Sequence, residues 1–240
     1  MSEYPIIKSG IFEFIGTFSL ILYTSITKPI PTDDKDQTLI AQIQKNVICF
    51  FFLLMALMWV SHRTSGSQFN PILTIGLFLV GGLPLANFVM NLLSQFLGAF
   101  LSILAIQLFE TGKIFARFEA KITNVFLIEF LLSFMLCTVY FMSFLHRQAP
   151  RAVFGFAVPA LFAASALSLG RSHFVYWGFF TLSFANLNPE IPFISKSIAI
   201  LAQIAGASLA AIFYKYFLEK EFPKIQVFSE KSKQAQKSKV

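Results

Sequence analysis

Six apolar stretches, at residues 10–27, 40–61, 85–109, 124–145, 152–169 and 193–218, dominate this chain, and only short polar connectors separate them. A bilayer core of about 30 Å takes roughly 20 apolar residues in one helical crossing. Each stretch approaches or exceeds that length, so the chain reads as an all-α membrane protein of six spans. Composition points the same way. With 56% of residues hydrophobic and 13% charged, and a mean hydropathy of +0.68, there is too little polar surface for a water-soluble globule. A membrane barrel would alternate over roughly ten-residue segments, whereas these runs are continuous and rich in Leu, Phe, Ile and Ala. The first run is too long and too weakly basic at its front for a cleaved signal peptide, and the reading keeps it in the mature chain.

The net charge of +7 is uneven, because Lys220, Lys224, Lys231, Lys233, Lys237 and Lys239 crowd the end of the chain. Residues 219–240 read as a basic, solvated tail. With both termini on one side, Lys8, Arg63, Arg147, Arg151, Lys215 and the tail put eleven Lys and Arg there and leave eight opposite. The positive-inside bias therefore predicts termini on the cytoplasmic-type side. Which membrane is involved is not encoded in any distinct signal.

The spans repeat in threes. EFIGTF at 13–18 in the first span is echoed by EFLLSF at 129–134 in the fourth, and SQFLGA at 94–99 in the third by AQIAGA at 202–207 in the sixth. Two triplets, at 10–110 and 122–218, place the second upside down relative to the first. Such inverted repeats put their pathway near the midplane, where interrupted helices from the two halves meet. The interruption after the second span is SHRTSGSQFNPILTIGLFLVGGLP at 61–84. Asn70 followed by Pro71 suits the start of a short helix, predicted to run to about Gly81, and a re-entrant segment of this kind aims its positive dipole end at the midplane.

Ser65, Gly66, Asn70, Pro71, Thr74 and Gly76, with Glu13, Gly16 and Thr17 ahead and Gln95 and Gly98 behind, resemble the first signature of the aquaporin, or major intrinsic protein, family. The resemblance covers about the first 110 residues. It implies a bundle of six transmembrane helices and two re-entrant half-helices over 1–218, with Asn70, Pro71 and Ile72 at the pore midpoint. Ile72 stands where the family has alanine and is expected to add bulk there.

The second half departs from the pattern. Asn188 and Pro189 look like a second motif, but only fifteen residues separate Asn188 from Gln203, against twenty-five from Asn70 to Gln95. Aligning LGRSHFVYW at 169–177 with SGSQFNPIL at 65–73 leaves twenty-nine residues from Phe174 to Gln203, enough for a half-helix and a connector. Lengths favour this second register. It puts Phe174, Val175 and Tyr176 in place of Asn-Pro-Ala and Trp177 at the filter-arginine position. In the other register the motif is Asn-Pro-Glu and Ile191 takes the arginine's place. Neither keeps the arginine. Arg171 and His173 read as loop residues before they read as a filter.

Glu13 and Glu129 lie within spans, where an unpaired charge is expensive. They resemble the family's paired glutamates that support the re-entrant loops. Gly16, Gly98 and Gly206 fit small-residue contacts between membrane helices. Cys49 and Cys137 lie within spans without metal-ligand spacing, and His62, His146 and His173 fall in connectors, so neither a metal nor a cofactor is expected.

The resemblance implies passive permeation of water or small neutral solutes. The aromatic residues at the second motif leave a second reading open, a closed pore on a scaffold that serves as a structural subunit of a larger membrane complex. A membrane enzyme would need a catalytic constellation, which the chain lacks. Expected partners are lipids and either further copies, as a homotetramer, or a hetero-oligomeric complex; nothing suggests nucleic acid.

Overall fold

A computed structural model describes residues 5–26, 37–109, 122–145, 151–169 and 193–219. Among them are seven helices: α1 (Ile6–Ile26), α2 (Gln37–Ser61), α3 (Pro71–Leu79), α4 (Leu85–Phe109), α5 (Ile122–Phe144), α6 (Arg151–Leu169) and α7 (Phe193–Phe213), the last running on into a π-turn, Tyr214–Leu218. Helices α1, α2, α4, α5 and α7 are long and apolar enough to cross a membrane, and α6 carries a shorter apolar run, Gly155–Ser165. Leu and Phe fill the spans, and hydroxyls within them donate back to their own helix: Thr24 to Leu20 O, Thr138 to Phe134 O and Ser208 to Ile204 O. In lipid, that removes the cost of an unsatisfied polar group.

The helices pair as the repeat predicts, α1 against α4 and α5 against α7, while α2 lies on α6. Each of the first two pairs closes on a glycine. A Cβ on Gly98 would sit 2.6 Å from Phe14 O, and one on Gly206 would collide with Phe130 O. Backbone meets backbone at these points, as small residues permit. Gly16 differs from expectation: its neighbour is the Phe69 ring of the re-entrant segment, because α1 runs past that segment as well as past α4.

The short helix α3 supplies the centre. Asn70 caps it, its Oδ1 accepting from Ile72 N at 3.0 Å; Pro71 fills the first helical position, where no N–H is needed. Helix α3 ends at Leu79, two residues short of the predicted Gly81, which itself adopts a left-handed φ of 72° in the turn that follows. Ile72, Leu73 and Leu77 are buried against a core drawn from both halves, including Leu136, Cys137, Tyr140 and Phe141 of α5 and Ala207, Ala210 and Ala211 of α7. Outward, Ile7, Ile11 and Ile15 of α1 and Leu93, Leu97 and Leu104 of α4 are exposed, as a lipid-facing surface requires.

Gly98→Ala and Gly206→Ala force backbones apart and are expected to cost about 1–3 kcal/mol each. Leu97→Ala, on the exposed face, is expected to stay within about 0.5 kcal/mol. Thermal unfolding of the detergent-solubilised variants measures the difference, and equal midpoints for all three would contradict the close-packed pairing.

Candidate functional site

Between α2 and α3 the backbone is irregular, with left-handed φ values at Gly66 (89°), Ser67 (56°) and Phe69 (49°). For residues other than glycine this conformation costs about 1–2 kcal/mol each, so something must hold it. Glu13 does so from α1: its Oε1 accepts from Gln68 N at 2.9 Å and its Oε2 from Phe69 N at 2.6 Å. Gln95 of α4 donates from Nε2 to the same Oε2 at 2.8 Å and to Thr74 Oγ1 at 2.8 Å. Hydrogen bonds to a charged group contribute about 1.5–3 kcal/mol each, enough for the pair of backbone bonds to outweigh the strain at Ser67 and Phe69.

Other elements complete the grip. Thr17 Oγ1 donates to Phe69 O at 3.3 Å, Tyr140 OH of α5 donates to Gly66 O at 2.6 Å, and Ser67 Oγ donates to Met58 O of α2 at 3.0 Å. Gly66 has no alternative, since besides its positive φ a Cβ there would lie 2.9 Å from Gln68 Nε2. In the second half, Gln203 Nε2 donates to Glu129 Oε2 at 2.9 Å, the counterpart of the bond between Gln95 and Glu13.

A cavity of about 30 Å³ lies against this segment, above the roughly 10–15 Å³ that one water molecule needs. Ser67, Gln68, Phe69 and Asn70 form one wall and Thr24 adds a hydroxyl-bearing side chain; the rest is apolar, with Leu20, Leu54, Met58 and Val158 among the lining. Phe50 of α2 and Phe162 of α6 also line it, their ring centroids 6.1 Å apart.

The structure thus brings together Glu13, Asn70, Pro71, Thr74 and Gln95. Ile72 does not take the position expected of it: its side chain is fully buried in the core and is not among the cavity-lining residues. The helical turn after Asn70 rotates it away and leaves Leu73 on the cavity instead. Phe174, Val175, Tyr176 and Trp177, together with Asn188, Arg171, His173 and the tail beyond Glu219, lie outside the described residues. Sequence reasoning missed Ser9, Asn91, Tyr140, Phe50 and Phe162. Of these, Asn91, one helical turn before Gln95 on a mostly apolar span, carried a signal that a polar partner had to be near.

Fold and site together define a multi-pass membrane bundle organised around a re-entrant half-helix. The model of the major intrinsic protein family matches residues 1–175, and the chain belongs to that family, whose members are channels and not enzymes. Aquaporin-1 of Gibberella zeae is 26% identical over 163 residues, 63% of this chain and 51% of that protein. A probable aquaporin, PIP-type 7a, of Pisum sativum is 29% identical over 99 residues, 41% of this chain and 34% of that protein. The matched stretches thus span about half the length of the first relative and about a third of the second. Among solved structures, the aquaglyceroporin from Plasmodium falciparum superposes with a TM-score of 0.64 at 19% identity, covering 88% of this chain and 96% of that one. The chain is accordingly an integral, multi-pass membrane protein.

Glu13→Ala leaves two buried N–H groups without acceptors, at about 1–3 kcal/mol each. Glu13→Gln keeps one acceptor but turns an amide NH₂ towards the other N–H, and is expected to lose roughly half as much. Limited proteolysis at residues 61–70 in reconstituted protein should rank them wild type, Gln, Ala in rising susceptibility. An unchanged cleavage rate in Glu13→Ala would contradict the assigned support.

Proposed function

We propose that the chain is a passive channel for water or small neutral solutes, with Asn70 as the hydrogen-bonding group at the midpoint of its path. The observation that carries this reading is the cavity against Asn70, large enough for water and walled on one side by a re-entrant segment whose shape several helices enforce. Asn70 lines it while its Oδ1 is committed to Ile72 N, an arrangement that orients the amide. The N-terminal end of α3 meets the cavity at the same place, and its dipole disfavours cations there.

Phe50 and Phe162 act in this reading as the size filter of the described half of the path. Two aromatic rings on helices from opposite halves narrow the cavity without hydrogen-bonding a solute. Ile72, packed away from the cavity, does not obstruct it. In this reading the restriction of the other half of the path comes from the bulk of Phe174, Val175 and Tyr176 in the degenerate second motif and from Trp177 in place of the filter arginine. Lipids cover the exposed apolar faces, and a homotetramer or a larger hetero-oligomeric membrane complex would cover part of them. The termini lie on the cytoplasmic-type side.

Proteoliposomes test the reading directly. Stopped-flow light scattering should show water flux above that of empty vesicles, and Phe50→Ala and Phe162→Ala should each raise urea permeability relative to water by about 2- to 10-fold, the span of roughly 0.4–1.4 kcal/mol at a barrier. Silence in the native chain, with flux gained in a Phe174→Asn, Tyr176→Ala double variant, would replace the channel by a closed scaffold.

A further inference from the structure

The polar seam between α1 and α4 has two rungs, and among the described residues the glutamate–glutamine bond of one of them has a counterpart in the second half. In the first rung, Ser9 Oγ donates to Asn91 Oδ1 at 2.7 Å and Asn91 Nδ2 donates to Gln68 Oε1 at 2.8 Å. In the second, Gln95 Nε2 joins Glu13 Oε2 to Thr74 Oγ1. Thr74 Oγ1, 3.2 Å from Gln68 Oε1, connects the two as donor. Ser9, Gln68, Thr74, Asn91, Gln95 and Glu13 are all buried.

The alignment of Glu13 with Glu129 and of Gln95 with Gln203 fixes the correspondence between halves. At the same offsets Ser9 falls on Val125 and Asn91 on Ala199. The bond between glutamate and glutamine therefore belongs to the scaffold of both halves, while Ser9 and Asn91 have apolar residues at the equivalent positions of the second half. Burying uncharged polar side chains is costly unless every one is bonded; with Val125 and Ala199 at the equivalent positions of the second half, Ser9 and Asn91 point to a local reason in the first.

Gln68 supplies that reason. It lines the cavity, yet its side chain is committed to the protein: Oε1 accepts from Asn91 and Thr74, and Nε2 donates to Ser65 O at 2.6 Å. Ser67 is committed likewise, through Met58 O and Ser61 Oγ. Both residues thus line the cavity with side chains already held by the protein, next to the backbone that carries them. Their left-handed neighbourhood sets which way that backbone faces.

We infer that Gln68, held by Asn91, is a positioning residue that sets the orientation of the backbone wall at Ser67–Phe69 and thereby the solute selectivity of the path. The inference rests on the channel reading for its effect on selectivity, and on geometry alone for the brace.

Gln68→Leu, Asn91→Leu and the double variant test it in the full-length chain. Leucine matches both residues closely in size, so the helices still pack. Hydrogen–deuterium exchange in nanodiscs should rise in peptides covering residues 64–70 in each variant, and in the double variant no further than in the singles, with peptides from α5 and α7 unchanged. In proteoliposomes the urea-to-water permeability ratio should shift about 2- to 10-fold in both singles and by the same factor in the double, the range carried by one lost hydrogen bond. Unchanged exchange at 64–70, or effects that multiply in the double variant, would overturn the brace. Exchange that rises while the ratio of a conducting chain stays fixed would overturn the role in selectivity. A native chain without flux refutes the channel reading, and with it the role in selectivity, leaving the exchange data to decide on the brace.

Discussion

Everything central to this molecule depends on a buried carboxylate receiving backbone N–H groups. Inside a bilayer no water is at hand for chain that is neither helix nor closed sheet, and residues 62–70 are neither. Glu13 resolves the conflict by accepting from two consecutive amides, which fixes the segment at the point where Asn70 and Pro71 begin α3. Helix α3 in turn provides the apolar surface on which α5 and α7 of the other half close. Without the carboxylate the irregular segment has no internal partner for those amides, and the element that joins the halves loses its anchor.

The spans were legible from the sequence because bilayer thickness imposes a length on each helix that composition alone reveals. The predicted 85–109 coincides with α4, and the predicted start of the last span with that of α7. Starts were less legible elsewhere: α1 begins at Ile6, four residues before the predicted Gly10, since Pro5 just ahead of it accepts from Ser9 N and the polar Lys8 and Ser9 sit in its first turns without breaking the helix. Glu13, Asn70, Thr74 and Gln95 were readable because residue type and spacing both speak for them. Gln68, Asn91 and Tyr140 were not, since each is an ordinary residue until the fold brings it against its partner, 23 positions away for Gln68 and Asn91 and 74 for Tyr140 and Gly66.

Ile72 shows the limit most clearly. Sequence position next to the Asn-Pro pair suggests the midpoint, but a helix turns about 100° per residue, so adjacent side chains face different surroundings. Both are buried in the core, but Leu73 lines the cavity and Ile72 does not. Phe50 and Phe162 illustrate the converse, because nothing local distinguishes them among 31 phenylalanines; only the packing of α2 on α6 sets them together.

Comparing the halves separates what the scaffold needs from what the path needs. Both keep a glycine where two spans touch backbone to backbone, at Gly98 and Gly206, and both keep a glutamate with a glutamine beside it. Those positions are constrained by close approach and by the cost of burying a charge, which are the same on either side of the midplane. The Ser9–Asn91 pair and the Asn-Pro pair at Asn70 are present in the first half, while the favoured register of the second half reads Val125, Ala199 and Phe174 at the equivalent positions. A scaffold under common packing rules can therefore carry different side chains at equivalent positions of its two halves, and the polarity that a solute would meet in the described residues is concentrated on the wall that Glu13 supports.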